Sequence, residues 1–221
     1  MMDAKPPRWA DLALRVLLPA RDRDSVTGDL LEEYREGILP TRGRVRAHLW
    51  YLRQMLTLVD GMRFGLILGA ALGAWILVDT AIDPLADDTP LAVGGMFAGV
   101  SLLLGVPAFW VRRRGGRFGD AVRTGAVAGV MTFAQFHWLG ILRVNLFLDT
   151  IRHRSDWQGL ILRFGQSGVE SLRVYANYVY LSQILLIVAM GTGAGAISGL
   201  LAGLVADTLA KLAGPVRRTG A

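Results

Sequence analysis

Gln135 and His137, in the segment FAQFHWLG, are the polar side chains best placed to do chemistry inside an apolar stretch of this sequence. An imidazole can donate, accept or carry a proton. Polar groups at membrane depth usually face the interior of a helix bundle, because exposing them to lipid is costly. The pair therefore predicts either a structural hydrogen bond between helices or a contact with a small molecule or ion.

The sequence lacks the patterns of most enzyme sites. His48, His137 and His153 are far apart and have no metal-ligand spacing with one another. The absence of cysteine excludes disulfides, thiolate metal sites and cysteine nucleophiles. No segment matches the phosphate-binding pattern GxxxxGK[ST]. We therefore predict a protein that is not an enzyme and that needs no metal or cofactor.

A cluster of acidic residues lies on one side of a predicted helix near the N-terminus. Such a cluster has three interpretations: a solvated surface, a contact for a basic partner, or a cation site. We assign partner docking to this part of the chain. The predicted docking residues are Asp29, Glu32, Glu33, Tyr34, Glu36, Trp50 and Tyr51.

Four apolar segments are long enough to cross a bilayer, which takes about 20 mostly apolar residues. The spans are expected near residues 62–82, 91–111, 122–142 and 177–205. The fourth lies in an uncharged stretch of residues 174–206, which is too long for a simple crossing. Its helix is expected to begin outside the membrane, with three tyrosines at the headgroups.

The distribution of basic residues predicts the orientation of the spans. Residues 1–63 contain 11 Lys and Arg, and residues 112–123 contain five Arg and one Asp, whereas residues 83–90 contain three Asp and no base. Because basic loops stay in the cytoplasm, both termini and the 112–123 loop are expected inside. Residues 143–173 are then outside although they hold five Arg. An amphipathic segment there (Trp157, Leu160, Ile161, Phe164) is expected to lie on the outer leaflet.

Glycines repeat every four residues within the spans. Glycines with this spacing share one helix face and let a neighbouring backbone approach closely. Packing within the bundle is one interpretation, and a homo-oligomer or permease interface is the other. The predicted helix-packing residues are Gly65, Gly69, Gly73, Gly95, Gly99, Gly125, Gly129, Gly191, Gly195, Gly199 and Gly203.

Residues 1–60 are expected to form a small bundle of three helices, which we call the head. Each helix has an apolar stripe at helical spacing. No proline occurs between residues 41 and 80, so the third helix is expected to continue into the first span. The predicted stripes are Trp9, Leu12, Ala13, Val16 and Leu17; then Val26, Leu30, Leu31 and Tyr34; then Val45, Leu49, Leu52, Leu56 and Val59.

The head resembles the permease prefix domain, type 2. The resemblance lies in the opening PRWADLALRVLLP, the helix GDLLEEYRE and the stretch HLWYLRQML before a transmembrane helix. It covers residues 7–59, about a quarter of the chain. Members of that family place the domain before the transmembrane part of bacterial ABC-type permeases. The resemblance implies a bacterial inner-membrane protein tied to such systems, although the large extracytoplasmic domain of those permeases has no counterpart here.

The sequence thus predicts an all-α membrane protein with a cytoplasmic head (residues 1–60), four transmembrane helices (residues 61–210) and a basic cytoplasmic tail (residues 211–221). Its expected role is a non-enzymatic accessory, sensor or scaffold of the bacterial inner membrane. The expected partners are the lipid bilayer and an ABC-type permease or cytoplasmic regulator, with a homo-oligomer possible and nucleic acid excluded. The alternative is a small transporter or channel with a polar path near Gln135 and His137.

Overall fold

The computed structural model describes residues 5–18 and 20–212, and within those ranges every regular element is helical. The chain divides into two compact units, Met1–Arg63 and Phe64–Ala221. The first contains the head and the second contains the apolar bundle. The predicted tail lies almost entirely outside the described residues.

The head is built from three helices around a small apolar core. They are α1 (Arg8–Leu17), α2 (Ala20–Glu32) and α3 (Leu39–Leu58). A π-helical turn, Glu33–Ile38, joins α2 to α3, and Gly43 kinks α3 with a φ of 73° that glycine adopts most readily. The core residues are Ala10, Leu14, Leu18, Leu30, Tyr34, Ala47, Tyr51, Met55 and Val59.

The apolar stripes predicted for α1 and α3 are partly wrong. On α1 the buried residues are Ala10 and Leu14, whereas the predicted stripe residues Trp9, Leu12 and Val16 are exposed. The other two stripe residues, Ala13 and Leu17, are half-buried. On α3 the first two stripe residues, Val45 and Leu49, are exposed. The pattern misled because the apolar side of each helix is wider than the part that the core buries, so spacing alone did not identify the core residues.

The third helix does not continue into the first span. Helix α3 ends at Leu58, Val59 is extended, and Gly61 has a φ of 90°. The extended Val59 ends the helix, and the positive φ of Gly61 lets the chain turn before α4 begins. The absence of proline in this region was therefore not sufficient evidence for one continuous helix.

The second unit contains four helical segments long and apolar enough to cross a membrane. They are α4 (Met62–Ile82), α5 (Pro90–Arg113), α6 (Phe118–Ile151) and the pair α8 (Leu172–Ser182) and α9 (Ile184–Leu212). A 3-10 turn, Ser155–Trp157, and helix α7 (Gln158–Ser167) connect α6 to α8.

Two of these segments differ from the predicted spans. Helix α6 has 34 residues, about 50 Å at 1.5 Å per residue, and so exceeds a hydrocarbon core of about 30 Å. The fourth segment is not one helix, because a turn at Gln183 separates α8 from α9. The last turns of α6 and the whole of α8 are the additional helical parts, and they lie at the same end of the bundle.

Helix α6 is the centre of the bundle and packs against α4, α5 and α9. Its Gly125 and Gly129 lie against the glycines of α9, where a methyl group on either would overlap a backbone carbonyl of the other helix. Gly65, Gly69 and Gly73 of α4 lie just as closely against α6. The glycines of α9 in this interface are Gly191, Gly195 and Gly199, while Gly203 meets the ring of Phe118.

Gly95 and Gly99 of α5 lie differently. No described atom comes within 4 Å of the position that a Cβ of either glycine would occupy. Within this chain, α5 instead contacts α9 through Gly105, which lies beside Ser198 and Ala202. The packing role predicted for Gly95 and Gly99 therefore has no partner among the described residues.

Candidate functional site

A group of charged side chains joins three separate segments at one end of the bundle. We call it the arginine cluster, and it consists of Thr80, Asp87, Asp88, Arg143, Arg154, Ser155 and Asp156. Its first arginine, Arg143, lies on the extended part of α6 and has a side chain only 7% exposed. Nε of Arg143 donates to Oγ1 of Thr80 at 2.7 Å, and Nη1 donates to Oδ2 of Asp88 at 3.1 Å. These contacts connect α4, the 83–90 loop and α6.

The second arginine of the cluster, Arg154, is 1% exposed at its side chain. Its Nη2 lies 3.0 Å from Oδ1 of Asp88, and its Nε donates to Oδ1 of Asp156 at 3.1 Å. Asp88 therefore bridges both buried guanidinium groups. Buried charges are stable only when paired in this way, because removing an ion from water costs several kcal/mol.

Asp87 fixes the same loop to the turn that follows α6. Its carboxylate accepts hydrogen bonds from the backbone N–H of Ser155, at 2.9 Å, and from the hydroxyl of the same residue. The hydroxyl hydrogen bond lowers the pKa of Asp87 below its ordinary value. The carboxylate therefore stays charged in mildly acidic solution.

Sequence reasoning missed this cluster because its members are 55 to 68 residues apart along the chain. A signal was present nonetheless. The only loop that holds three acids and no base was predicted on the same side as the five arginines of residues 143–173. Two of those arginines, Arg143 and Arg154, pair with the acids of that loop.

The amphipathic segment around Trp157 packs onto protein. Trp157 joins a buried cluster with Val144, Leu148, Ile151 and Ala176, against which Leu160 and Ile161 pack. The ring of Phe164 lies 5.8 Å from that of Tyr175 on α8. This face therefore packs in part against α6 and α8, with Leu160, Ile161 and Phe164 only half-buried, and its place on the outer leaflet stays a prediction.

Gln135 and His137 lie on different faces of α6. Nε2 of His137 lies 2.9 Å from the carbonyl oxygen of Tyr180, and since a carbonyl only accepts, this nitrogen carries the hydrogen. The contact caps α8 beside its break from α9. Cβ of Gln135 lies against Gly69 of α4 instead. The two residues are thus not brought together.

A second polar contact between α6 and α8 was absent from the sequence analysis. The side-chain amides of Asn145 and Asn177 exchange two hydrogen bonds, of 2.8 and 3.1 Å. Together with His137 they give α8 three polar attachments to α6. Each donor in these contacts has an acceptor, so the hydrogen bonds hold α8 in place against α6.

The predicted docking residues of the head divide into two groups. Tyr34 and Tyr51 are fully buried, so their predicted role as docking residues is wrong: their rings meet edge to face in the core, 5.7 Å apart. Burial raises the pKa of Tyr51 to about 12, and the carboxylate of Asp11 beside its hydroxyl adds to the shift. Trp50 is half-buried. The acidic residues Asp29, Glu32, Glu33 and Glu36 are all exposed, and we call them the acidic face.

The described residues offer no group of three or more His, Asp or Glu side chains arranged to hold a metal ion. What the arginine cluster can do is mechanical, because it ties the 83–90 loop and the turn after α6 to the end of the bundle. The acidic face can bind a surface of opposite charge, because its four carboxylates are exposed on one side of the helical segment 29–36.

Comparison with protein-family models, with curated proteins and with solved structures gives no match for this chain. The resemblance of residues 7–59 to the permease prefix domain is therefore carried by their own sequence alone, and the chain is assigned to no family.

Proposed function

We propose that this protein is a non-enzymatic accessory or scaffold of the bacterial cytoplasmic membrane, linked to an ABC-type permease system through its head. In this proposal the head lies in the cytoplasm and docks a basic partner surface on its acidic face, while the bundle anchors the head to the membrane. The partner would be the permease itself or a cytoplasmic regulator of it.

The acidic face is the observation that carries the proposal. It presents four exposed carboxylates on about two turns of helix, whereas the other side of that helix buries Thr27, Leu30 and Tyr34. Among the described contacts, none of the four carboxylates pairs with a base in an ion pair. A concentration of like charge on a small bundle favours association with a surface of opposite charge and raises the rate of encounter.

The orientation of the spans supports a cytoplasmic head. The end of the bundle that holds residues 112–123 is strongly basic, and the end that holds the arginine cluster is close to neutral. Basic ends remain in the cytoplasm. One span, α4, separates the head from the 83–90 loop, and a second span, α5, leads back to the 112–123 loop. The head is therefore on the same side of the membrane as the 112–123 loop.

The alternative of a small transporter is less well supported by these contacts. Gln135 faces α4 and His137 faces α8, at positions roughly 200° apart around α6. A single path lined by both side chains does not follow from this arrangement. The transporter hypothesis would return if His137→Ala changed the flux of a solute in liposomes.

Photo-crosslinking from the head in native membranes tests the proposal. A crosslinker placed at the exposed Asp29 of the full chain is expected to capture a permease subunit or its regulator, identified by mass spectrometry. The triple variant Glu32→Gln, Glu33→Gln and Glu36→Gln should abolish that crosslink formed from position 29. The matched control neutralises three other exposed acids, Asp60→Asn, Asp149→Asn and Glu170→Gln, and should retain it. Equal capture by both triple variants would contradict the proposal.

A further inference from the structure

The head exposes a set of large apolar side chains that its own core does not use. On α1 they are spaced at three and four residues, which places them on one side of the helix, opposite the buried Ala10 and Leu14. On α3 they are spaced at four residues. Their exposed fractions are 60% for Trp9, 63% for Leu12, 62% for Val16, 73% for Val45 and 61% for Leu49.

Arginines border both apolar surfaces. Arg8 lies one helical turn before Leu12 on α1 and is exposed. On α3, Arg46 and Arg53 lie three residues before and four residues after Leu49, so both adjoin it on the same side of the helix. Apolar side chains flanked by arginines form the pattern of a helix that lies in the interface of an anionic membrane.

We propose that α1 and α3 of the head lie on the anionic lipid of the leaflet from which the chain enters the membrane. Trp9, Leu12, Val16, Val45 and Leu49 enter the headgroup region, and the neighbouring arginines contact lipid phosphates. Helix α3 ends only four residues before α4 begins, so the chain itself holds this surface near the bilayer.

The acidic face fits the same arrangement. The four acids lie on α2 and on the π-helical turn after it, and neither element carries any of the exposed large apolar side chains. Four carboxylates beside anionic headgroups would be repelled, whereas on the far side they are free to meet a protein partner. Repulsion between the acidic face and the anionic headgroups therefore favours an orientation with the acidic face away from the lipid. This inference concerns the lipid side and does not depend on the partner named under the proposed function.

Spin labelling of the full chain measures the depth of these positions directly, because the chain has no native cysteine. A label would be attached to Leu12→Cys or Val45→Cys, with Asp29→Cys on α2 as the matched exposed control. The variants would be reconstituted in nanodiscs of phosphatidylcholine and phosphatidylglycerol. All three substitutions are at exposed positions, so none removes a core contact.

The expected result is that labels at positions 12 and 45 collide several-fold more with oxygen, which concentrates in lipid, than with a water-soluble nickel chelate. The label at position 29 should show the reverse preference. Equal access of the chelate to positions 12 and 29 would overturn the proposal. Protection of position 12 from both reagents would also overturn it, because a protein surface would then be the occupant. The same depth in nanodiscs of phosphatidylcholine alone would overturn the assigned role of the arginines.

Discussion

The two ends of the helical bundle differ in how their charges are arranged. At one end, residues 112–123 and 207–212 hold six basic and two acidic residues. There Nε of Arg112 lies 2.7 Å from Oδ1 of Asp207, and both side chains are about one third exposed. At the other end, residues 83–90 and 143–173 hold five basic and six acidic residues, and two arginines of the arginine cluster are almost fully buried.

This difference shows that one residue type serves two purposes in the same protein. Arg113, Arg114 and Arg117 at the basic end are exposed, as expected of residues that orient a membrane protein. Arg143 and Arg154 at the other end are paired, buried and nearly neutral in sum with their carboxylates. Their contacts connect α4, the 83–90 loop and the end of α6, and so contribute to tertiary structure.

The strongest test of this comparison is the side of the membrane on which each end lies. A cysteine at Asp83→Cys should react with a membrane-impermeant maleimide in intact cells, whereas one at Arg114→Cys should react only after the cells are opened. Both positions are exposed and the chain has no other cysteine, so the expected difference is complete labelling against none. The opposite labelling pattern would show that the basic end is outside and would remove the support for a cytoplasmic head.

A large effect on stability is expected from Asp88→Ala. The substitution removes the one carboxylate that pairs with Arg143 among the described residues and one partner of Arg154, and an uncompensated buried charge costs about 3 kcal/mol or more. The matched change at the other end, Asp207→Ala, should cost less than about 1 kcal/mol, because Arg112 is accessible to water. Unfolding in mixed detergent micelles measures both free energies, and similar losses would mean that the two ends do not differ energetically.

A smaller loss is expected from Arg143→Met. This change removes the buried charge itself and leaves Asp88, whose side chain is 38% exposed, to be solvated by water. Only the contacts of Arg143 with Thr80 and Asp88 are lost, so the cost should be about 1 kcal/mol. The same unfolding measurement applies. A larger loss for Arg143→Met than for Asp88→Ala would contradict the view that the carboxylate exists to neutralise the arginines.

The features that could be predicted from the sequence are those that depend on the residues of one helix alone. The four apolar segments and the glycine repeats of α4, α6 and α9 are local patterns, and they are visible without knowing which helices are neighbours. Gly95 and Gly99 have the same repeat, yet no described residue packs against them. Glycine spacing predicts a helix face that another helix can approach closely, but it does not identify that other helix.

The arginine cluster could not be predicted in the same way. Its contacts depend on α4 and α6 lying side by side, on α6 extending to Ile151 and on the turn that follows. The faces of α1 were misassigned for a related reason. The apolar side of α1 is wider than the part that the core buries, and the positions of α2 and α3 select that part.

The smallest expected effect concerns the response of the arginine-cluster end to acid, and Ser155→Ala tests it. The hydroxyl of Ser155 holds the pKa of Asp87 below its ordinary value in the folded protein. A carboxyl group of this kind contributes stability that is complete above its ordinary pKa and is lost as the pH falls through the lower, folded-state value.

Without the hydroxyl, the folded and unfolded pKa values of Asp87 come closer together. The free energy of unfolding should then decrease less steeply as the pH is lowered through the acidic range, which unfolding in mixed micelles over a pH series can measure. Ser182→Ala is the control, because its hydroxyl donates to the carbonyl of Val179 and to no carboxylate. Its pH profile should match that of the unaltered protein. If both serine variants gave that same profile, Asp87 would owe its lowered pKa to the backbone N–H groups of the turn, and the hydroxyl would only position the loop.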